Sequence, residues 1–567
     1  MLIALLKAHG IKKAVISPGM KNYGFVGSLQ SDDYFELYSC VDERSAAYMA
    51  CGLAQESGEP VVLSCTGATA SRNYLPGLTE AFYRKLPILA VTSMTHTGEI
   101  GQLIPQVLDR RVQMNDAVNL SVQIPLIRTQ KDEWADNILI NKAILQLKRN
   151  GGGPVHINLE TECDPDFSVK VLPDFRVIHR FKHNDELPEI REENVAVFVG
   201  VHRTWSDSLT EKVDEFCEKY NGVVLCDQTS NYKGRYGVLP GLLCCQEYYD
   251  SKLKNIDLLI HIGEISGSYL DIRPSKVWRV NPDGEIRDTF QKLDSVFEME
   301  EEEFFSRYTQ EKGSRKQTDH YEKWTQECEK ARKNVPELPF SNGWIASALL
   351  PKIHEGMILH LAILNSLRMW DLFEAAKADK VYSNTGGFGI DGILSAAIGT
   401  ALANPKKLHV VVVGDLAFFY DMNSLGNRHV PDNLRILVIN NGGGAEFRNY
   451  RHPVDAFGED ADPYMAAAGH NGDRSRQLLK HYVSDLGYRY MSAENKQEFL
   501  EKIDIFMNEN EKQKMVFEVF TEFADEKEAY KRLCSVLVSK ENSIKKSVKD
   551  ILGEEGTKAV KKALGRK

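Results

Sequence analysis

Asp415 and Asn441 stand 26 residues apart, each at the exit of an apolar run: "HVVVVG" precedes the acid, and "LRILVIN" leads into Asn440, Asn441 and three glycines. A carboxylate, an amide oxygen and the carbonyl of Gly443 together offer three oxygen ligands. Mg²⁺ takes about six oxygens and completes its shell with water and substrate phosphates. The set therefore reads as a metal site for a diphosphate group. Helix capping by Asp and Asn would explain either residue alone. It explains less well why both positions combine a buried strand, a glycine and an oxygen ligand, one β-α-β crossover apart.

A second candidate lies in "SCVDERSAAYMACGLA", residues 39–54. Asp42 reads as a helix N-cap, which puts Glu43 in the first turn, where the macrodipole favours an acid by ~0.3–1 kcal/mol. That reading suffices for an isolated glutamate. The Cys, Val, Ala and Met residues crowded around Glu43 would raise its pKa if they bury it. A carboxyl that shares a proton with a ring nitrogen suits acid/base work.

These residues need strands to hold them. Four consecutive valines, 410–413, have no polar alternation and read as a strand covered on both faces, as in parallel α/β sheets. Such sheets bind ligands at the carboxyl ends of their strands. Between 14 and 160, "AVISPG", "FELYSCV", "PVVLSCTG", "PILAVTS" and "PVHINLE" alternate with helical patterns in a βαβ rhythm. "VAVFVGV", "GVVLCD", "LLIHIGE" and "KVWRVN" repeat it between about 186 and 310. "MILHLAIL", "KVYSN", "LHVVVVGD", "LRILVIN" and "MVFEVFTE" form a third block from about 340 to 540. We expect three doubly wound parallel-sheet α/β domains over 1–178, 186–312 and 340–540, followed by a basic helical tail, 541–567. The joints fall in the polar segments 179–194 and 306–324, composed like linkers or surface helices.

The 567 residues, 43% hydrophobic and 26% charged, have the composition of a multidomain globular protein. A net charge of −10 argues against a nucleic-acid partner, which would call for clustered Lys and Arg. The ten cysteines show no CxxC spacing, and Cys244-Cys245 is an adjacent pair rather than a metal clip. They read as reduced thiols in a cytoplasmic protein. The opening "MLIALLKAHG" lacks the features of a signal sequence and fits an amphipathic helix. No apolar stretch reaches the ~20 residues of a membrane span. The acidic run "EMEEEEFF" at 298–305 reads as a solvated helix face, and the basic tail as a frayed terminal helix.

"VDERSAAYMACGLA" and "TGATASRNYLPGLTEAFY", taken with "GDL" and "NNGGG", resemble the thiamine diphosphate-dependent 2-oxoacid decarboxylase and carboligase superfamily. The likeness spans nearly the whole chain except the tail. It is greatest to the SEPHCHC synthase branch of menaquinone biosynthesis, through "NSL", "YSNTGGFGIDGILSAAIG" and "GDLAFFYDMNSL". The resemblance implies a pyrimidine-binding, a middle and a diphosphate-binding domain. It also implies a homodimer or homotetramer whose active sites lie between subunits. Glu43 would contact N1′ of the aminopyrimidine and drive ylid formation. Asp415, Asn441 and the Gly443 carbonyl would hold Mg²⁺. Thr66, Gly67, Gln102, Gly389, Ile390, Gly414 and Leu416 would contact the cofactor, Ile390 by propping it in its bent form. Ile390 also reads as an ordinary core residue, and Gln102 as an exposed loop residue.

The implied reaction decarboxylates a 2-oxoacid and passes the carbanion to an acceptor. Arginines that the branch carries after "SPGS", after "NSL" and two further residues, and in "YSNRG" are here Lys21, Trp370 and Thr385. Lysine cannot reproduce a bidentate fork. The pocket is therefore expected to lose carboxylate recognition and to gain an apolar wall from Trp370, unless Arg368, Arg448 or Arg451 reaches in. Ala417 stands where a serine is common, and no adjacent His-His pair of the pyruvate decarboxylase kind is present. Release of an aldehyde, genuine SEPHCHC synthesis and a degenerate cofactor-binding subunit are the other readings.

Overall fold

The computed structural model describes residues 1–162, 164–202, 205–310, 319–539 and 542. Three parallel α/β sheets carry the chain. The first orders Glu36–Ser39, Lys13–Ile16, Val61–Cys65, Ile88–Met94, Val155–Glu160 and Leu120–Ile124. The third orders Lys380–Tyr382, Met357–Leu361, Leu408–Gly414, Leu434–Asn440, Met515–Phe520 and Arg489–Ala493. With strands numbered along the chain, both sheets run 2-1-3-4-6-5. The connections after strands 1 and 3 leave in opposite directions, which opens a crevice between their carboxyl ends. Thr66 and Asp415 each follow strand 3 of their sheet, so the two sheets place them at the same topological point.

Burial explains the apolar runs. In the first sheet Ala14, Ile16, Val62, Leu89 and Val91 pack on one face, while Val15, Val61, Leu63, Ile88 and Ala90 pack on the other. That is the period of two expected of a pleated strand. Val410–Val413 are wholly buried for the same reason, each contributing roughly 1.5–3 kcal/mol by leaving water.

Between these sheets in sequence, Gly237–Val238, Gly222–Cys226, Val195–Val199, Asn255–Ile262 and Arg273–Val280 form the strands of the middle domain. By compactness the chain divides into Met1–Glu186 with Asp283–Glu298, and Leu187–Pro282 with the described residues from Met299 on. His179–Lys182, in a segment read from sequence as a linker, is a strand that pairs in parallel with Leu293–Glu298. Three of its four residues are half-buried and none is fully buried, so its polar composition carries no strand signal. The acidic run forms the start of the helix Glu301–Gln310, whose Phe304, Phe305 and Tyr308 are buried. Its glutamates are not simply solvated, because Glu301 accepts from His202 and Glu302 from Ser208. The expected basic tail lies outside the described residues, Asn542 apart. No helix among the described residues is long and apolar enough to cross a membrane.

The helix Glu43–Ser57 packs on the helix Leu75–Arg84 through Ala47 and Gly77. A Cβ on Gly77 would lie 2.4 Å from the Ala47 Cβ and 2.9 Å from its backbone carbon. Gly77→Ala should therefore cost about 1–3 kcal/mol, read as a lower urea midpoint. An unchanged midpoint would show that the two helices separate freely.

Candidate functional site

In the third domain, parallel pairing of Gly414 with Ile439 brings the ends of two buried strands side by side. Asp415 leaves the first of them as the opening residue of the helix Asp415–Asp421. Asn441 follows the second. A cavity of about 110 Å³ is lined by Asp415, Asn441 and Gly443 together with Gly414, Leu416 and Ile390. Asn365, at the end of the "AIL" turn after strand 1, completes it from the far side of the crevice.

The oxygens that line this cavity could hold a cation. Burial pushes the Asp415 carboxyl up to about 7, with the charges of Asp473 and Glu518 adding to the shift. No basic side chain among the described residues pairs with Asp415. The Asn441 Oδ1 is buried without a hydrogen-bond partner. A divalent cation would satisfy both oxygens and relieve the crowding of acids. The neighbouring Asn440 is committed elsewhere: its Nδ2 donates to Glu518 at 2.7 Å, and its Oδ1 accepts from the Gly442 N–H at 3.2 Å. The two asparagines, indistinguishable in sequence, are thus separated by their partners. The Gly443 carbonyl accepts from the Ala445 N–H at 3.1 Å, which leaves its second lone pair available.

Two features beside the cavity carry no sequence signal. Asp473 lies in the four-residue helix Asn471–Arg474, where its Oδ1 would be 3.0 Å from a Cβ on Gly442. Leu364 adopts φ +70°, a conformation strained for a leucine, at the wall of the cavity. Gly389 is exposed and stands outside the cavity lining, where a Cβ would meet the Asp391 carboxylate at 2.4 Å. Ile390 lines the cavity and packs against the core of the third domain.

In the first domain Asp42 caps the helix as expected, its Oδ1 accepting from the Ser45 N–H at 3.0 Å. Glu43 is half-buried, and its Oε2 accepts from the Asn73 amide at 3.3 Å. The crowding expected around it is absent in the single chain: Val41 is 76% and Met49 39% exposed. Met49 belongs to an outward helix face that also shows Tyr48, and Val41 precedes that helix; apolar exposure of this kind marks contact surfaces. Thr66 accepts from the Lys21 N–H at 3.2 Å, and the Lys21 ammonium donates to the Gln106 carbonyl at 3.2 Å. At Gly67 a Cβ would lie 2.9 Å from an Arg110 Nη1 and 3.2 Å from the Ser93 carbonyl oxygen. Arg110 was not singled out from sequence. It is buried, donates to Asn158 and to the Ser93 carbonyl, and leaves Nε and Nη1 unpaired. Gln102 lies in an exposed turn, consistent with a loop residue in the single chain.

The substrate side departs from expectation at Trp370. The indole is fully buried, and its Nε1 donates to Asn342 Oδ1 at 3.0 Å. In the helix Asn365–Trp370, positions 367 and 370 fall one turn apart and face the core, so Trp370 forms no pocket wall. Thr385 is also buried. The side chain that emerges is Arg368, which faces a second cavity of about 700 Å³ with Arg451, Tyr450 and Asn449. Asn365 and Glu446 line both cavities. Each nearby arginine is already paired. Arg368 meets Glu446 at 2.6 Å and lies over the Tyr269 ring, Arg451 meets Glu247 at 3.2 Å, and Arg448 pairs with Asp462.

The chain is similar to known proteins along most of its length. Residues 1–114 match the family described as thiamine pyrophosphate enzyme, N-terminal TPP binding domain, and residues 365–519 match its C-terminal TPP binding domain. The 2-succinyl-5-enolpyruvyl-6-hydroxy-3-cyclohexene-1-carboxylate synthase of Bacteroides thetaiotaomicron is 32% identical over 555 residues, covering 92% of this chain and 95% of its own. The synthase of the same name from Bacteroides fragilis is 32% identical over 550 residues with the same coverage. That from Flavobacterium psychrophilum is 27% identical over 557 residues, again with that coverage.

Proposed function

The chain belongs to the thiamine diphosphate-dependent enzymes, among relatives of SEPHCHC synthase, and from that premise we propose that it decarboxylates a 2-oxoacid and transfers the remaining carbon unit to an acceptor. Its cofactors are thiamine diphosphate and a divalent metal such as Mg²⁺. The observation that carries the reading is the buried, cation-free Asp415 facing the same small cavity as the unpartnered Asn441 Oδ1.

When bound, thiamine diphosphate supplies the electron sink for loss of CO₂. The residues of the chain position it. Asp415, Asn441 and the Gly443 carbonyl would hold the metal, which would supply charge to balance the diphosphate. Ile390, Leu416 and Gly414 shape the adjoining wall, with Gly389 at the turn before Ile390. Thr66, Gly67 and Gln102 would contact the cofactor at its aminopyrimidine end, and the Glu43 carboxyl would hold a proton there. The apolar face around Glu43 would be covered by a second copy of the chain, so the active unit is at least a homodimer with shared sites.

The substrate proposed is a 2-oxoacid without a distal carboxylate. The relatives' printed name carries a 2-succinyl group, the four-carbon acid left when 2-oxoglutarate loses CO₂. Here Arg368, Arg448 and Arg451 are each neutralised by an acid, Arg368 by Glu446 at the junction of the two cavities. A hydrogen bond to a charged group contributes ~1.5–3 kcal/mol, so losing even one guanidinium should lower kcat/KM for a dicarboxylate by about tenfold or more. We expect monocarboxylic 2-oxoacids to turn over at least about tenfold faster, by kcat/KM, than 2-oxoglutarate with isochorismate. The relatives' own activity is the second reading, favoured by the 32% identity across nearly the whole chain. An equal or higher kcat/KM for 2-oxoglutarate with isochorismate would establish it instead.

A further inference from the structure

We propose that Glu518 is the positioning residue of the metal loop: it turns the Asn440 amide away from the cavity and leaves Asn441 as the amide ligand. The proposal rests on the metal site assigned above and adds to it a residue that touches neither metal nor cofactor. Asn440 ends the strand Leu434–Asn440 and Asn441 follows it, so two amides of equal chemistry compete for one cation. Nothing in the local sequence chooses between them.

Sheet register supplies the choice. In the parallel ladder Asn440 lies opposite Phe520, and Glu518 lies opposite Ser492. Residues two apart along a strand share a face, so Tyr490, Glu518 and Asn440 form a diagonal row across three strands. Glu518 is fully buried, and both of its carboxyl oxygens are occupied. Oε1 accepts from the Asn440 Nδ2 at 2.7 Å, and Oε2 accepts from the Tyr490 hydroxyl at 2.8 Å. An ionised carboxylate only accepts, so the Asn440 amide faces it with nitrogen. The Asn440 Oδ1 is thereby aimed at the Gly442 N–H, 3.2 Å away. That contact helps to hold Gly442 at φ +82°, a left-handed turn that glycine adopts freely. The Thr521 N–H fixes the main chain by donating to the Asn440 carbonyl at 3.0 Å. With Asn440 so tied, the Asn441 Oδ1 stays unpartnered, and both Asn441 and Gly443 line the cavity.

Charge supports the same role. Among the described residues no basic side chain forms an ion pair with Glu518, and a buried acid without a cation is costly. A divalent cation held by Asp415 and Asn441 would compensate both acids. Outer partners of this kind orient the residues that ligate a metal, and losing one typically costs about 10–100-fold in metal affinity.

The test titrates Mg²⁺ into the full chain at fixed thiamine diphosphate, follows cofactor binding by calorimetry, and measures the urea midpoint alongside. Glu518→Met removes both acceptors at similar volume and should raise the Mg²⁺ concentration for half-saturation by about 10–100-fold. Glu518→Gln, which can still turn an oxygen to Asn440, should restore most of the lost affinity. Tyr490→Phe leaves Oε2 unanchored and should shift the Mg²⁺ dependence in the same direction by a smaller factor, a readout that stands even where Glu518→Met does not fold. Val516→Ala, on the same strand and equally buried, controls for lost stability: its urea midpoint should fall while its Mg²⁺ dependence stays that of the wild type. Wild-type Mg²⁺ dependence in the Glu518 and Tyr490 variants, beside a loss in Asp415→Ala, would overturn the role of Glu518 and spare the metal site. An equal shift in Val516→Ala would reduce Glu518 to a support of the fold. An unaffected Asp415→Ala would remove the metal site and this assignment with it.

Discussion

Asp415→Ala should reduce Mg²⁺-dependent affinity for thiamine diphosphate by at least about a hundredfold while leaving the circular dichroism spectrum unchanged. Asp415 supplies the only full negative charge among the proposed protein ligands, and a second-row oxygen of water replacing it would carry none. Removing one partner of a buried charge contact costs roughly 3–5 kcal/mol, which is about two to nearly four decades in Kd. The fold has little reason to suffer. In the absence of metal the acid is buried without a cation, and burial already raises its pKa, so alanine removes a strain rather than a support. Calorimetry that finds wild-type cofactor affinity in the variant would take Asp415 out of the site. Asn441→Ala should show a smaller loss, because an amide oxygen is a weaker ligand than a carboxylate.

Glu43→Gln should keep cofactor binding near wild type and lower turnover by about 10²–10⁴, the range that a positioned acid or base contributes. Glutamine preserves the size of the side chain and its contact with Asn73, which is the hydrogen bond seen at Glu43 Oε2. It cannot exchange a proton with a ring nitrogen. Binding is measured by calorimetry and turnover by CO₂ release. A variant with wild-type turnover would show that Glu43 merely opens its helix, as the cap at Asp42 would allow.

Where side-chain chemistry and burial act along the chain, sequence was informative. The four valines, the glycine and Asp415 are legible because a doubly covered strand admits no alternation, and because an acid at its exit has few structural uses. The same logic led to Asn441, yet only the partners of Asn440 separate the two amides. Trp370 was misjudged because spacing along "NSLRMW" fixes which residue occupies a position but not which way a six-residue helix turns. Its neighbour Arg368 faces the cavity instead. Arg110 and Asp473 were overlooked because their roles arise from long-range packing against Gly67 and Gly442, and no local pattern marks them. The strand His179–Lys182 escaped for a related reason: its pairing with Leu293–Glu298 is supplied from more than a hundred residues away. At Glu43 the sequence foretold a crowded acid and the single chain shows exposed apolar neighbours, a difference that a second copy would remove.

A hybrid dimer tests the shared site most directly. Glu43→Gln and Asp415→Ala chains carrying different tags are co-expressed, and the mixed dimer is purified through both tags. If Glu43 of one chain and Asp415 of the other serve the same cofactor, both substitutions fall in one site and the second site is intact. The mixed dimer should then show about half of wild-type turnover, one site of two, although each parent variant is nearly inactive. A mixed dimer as inactive as its parents would place both residues around a cofactor within one chain and contradict the shared site.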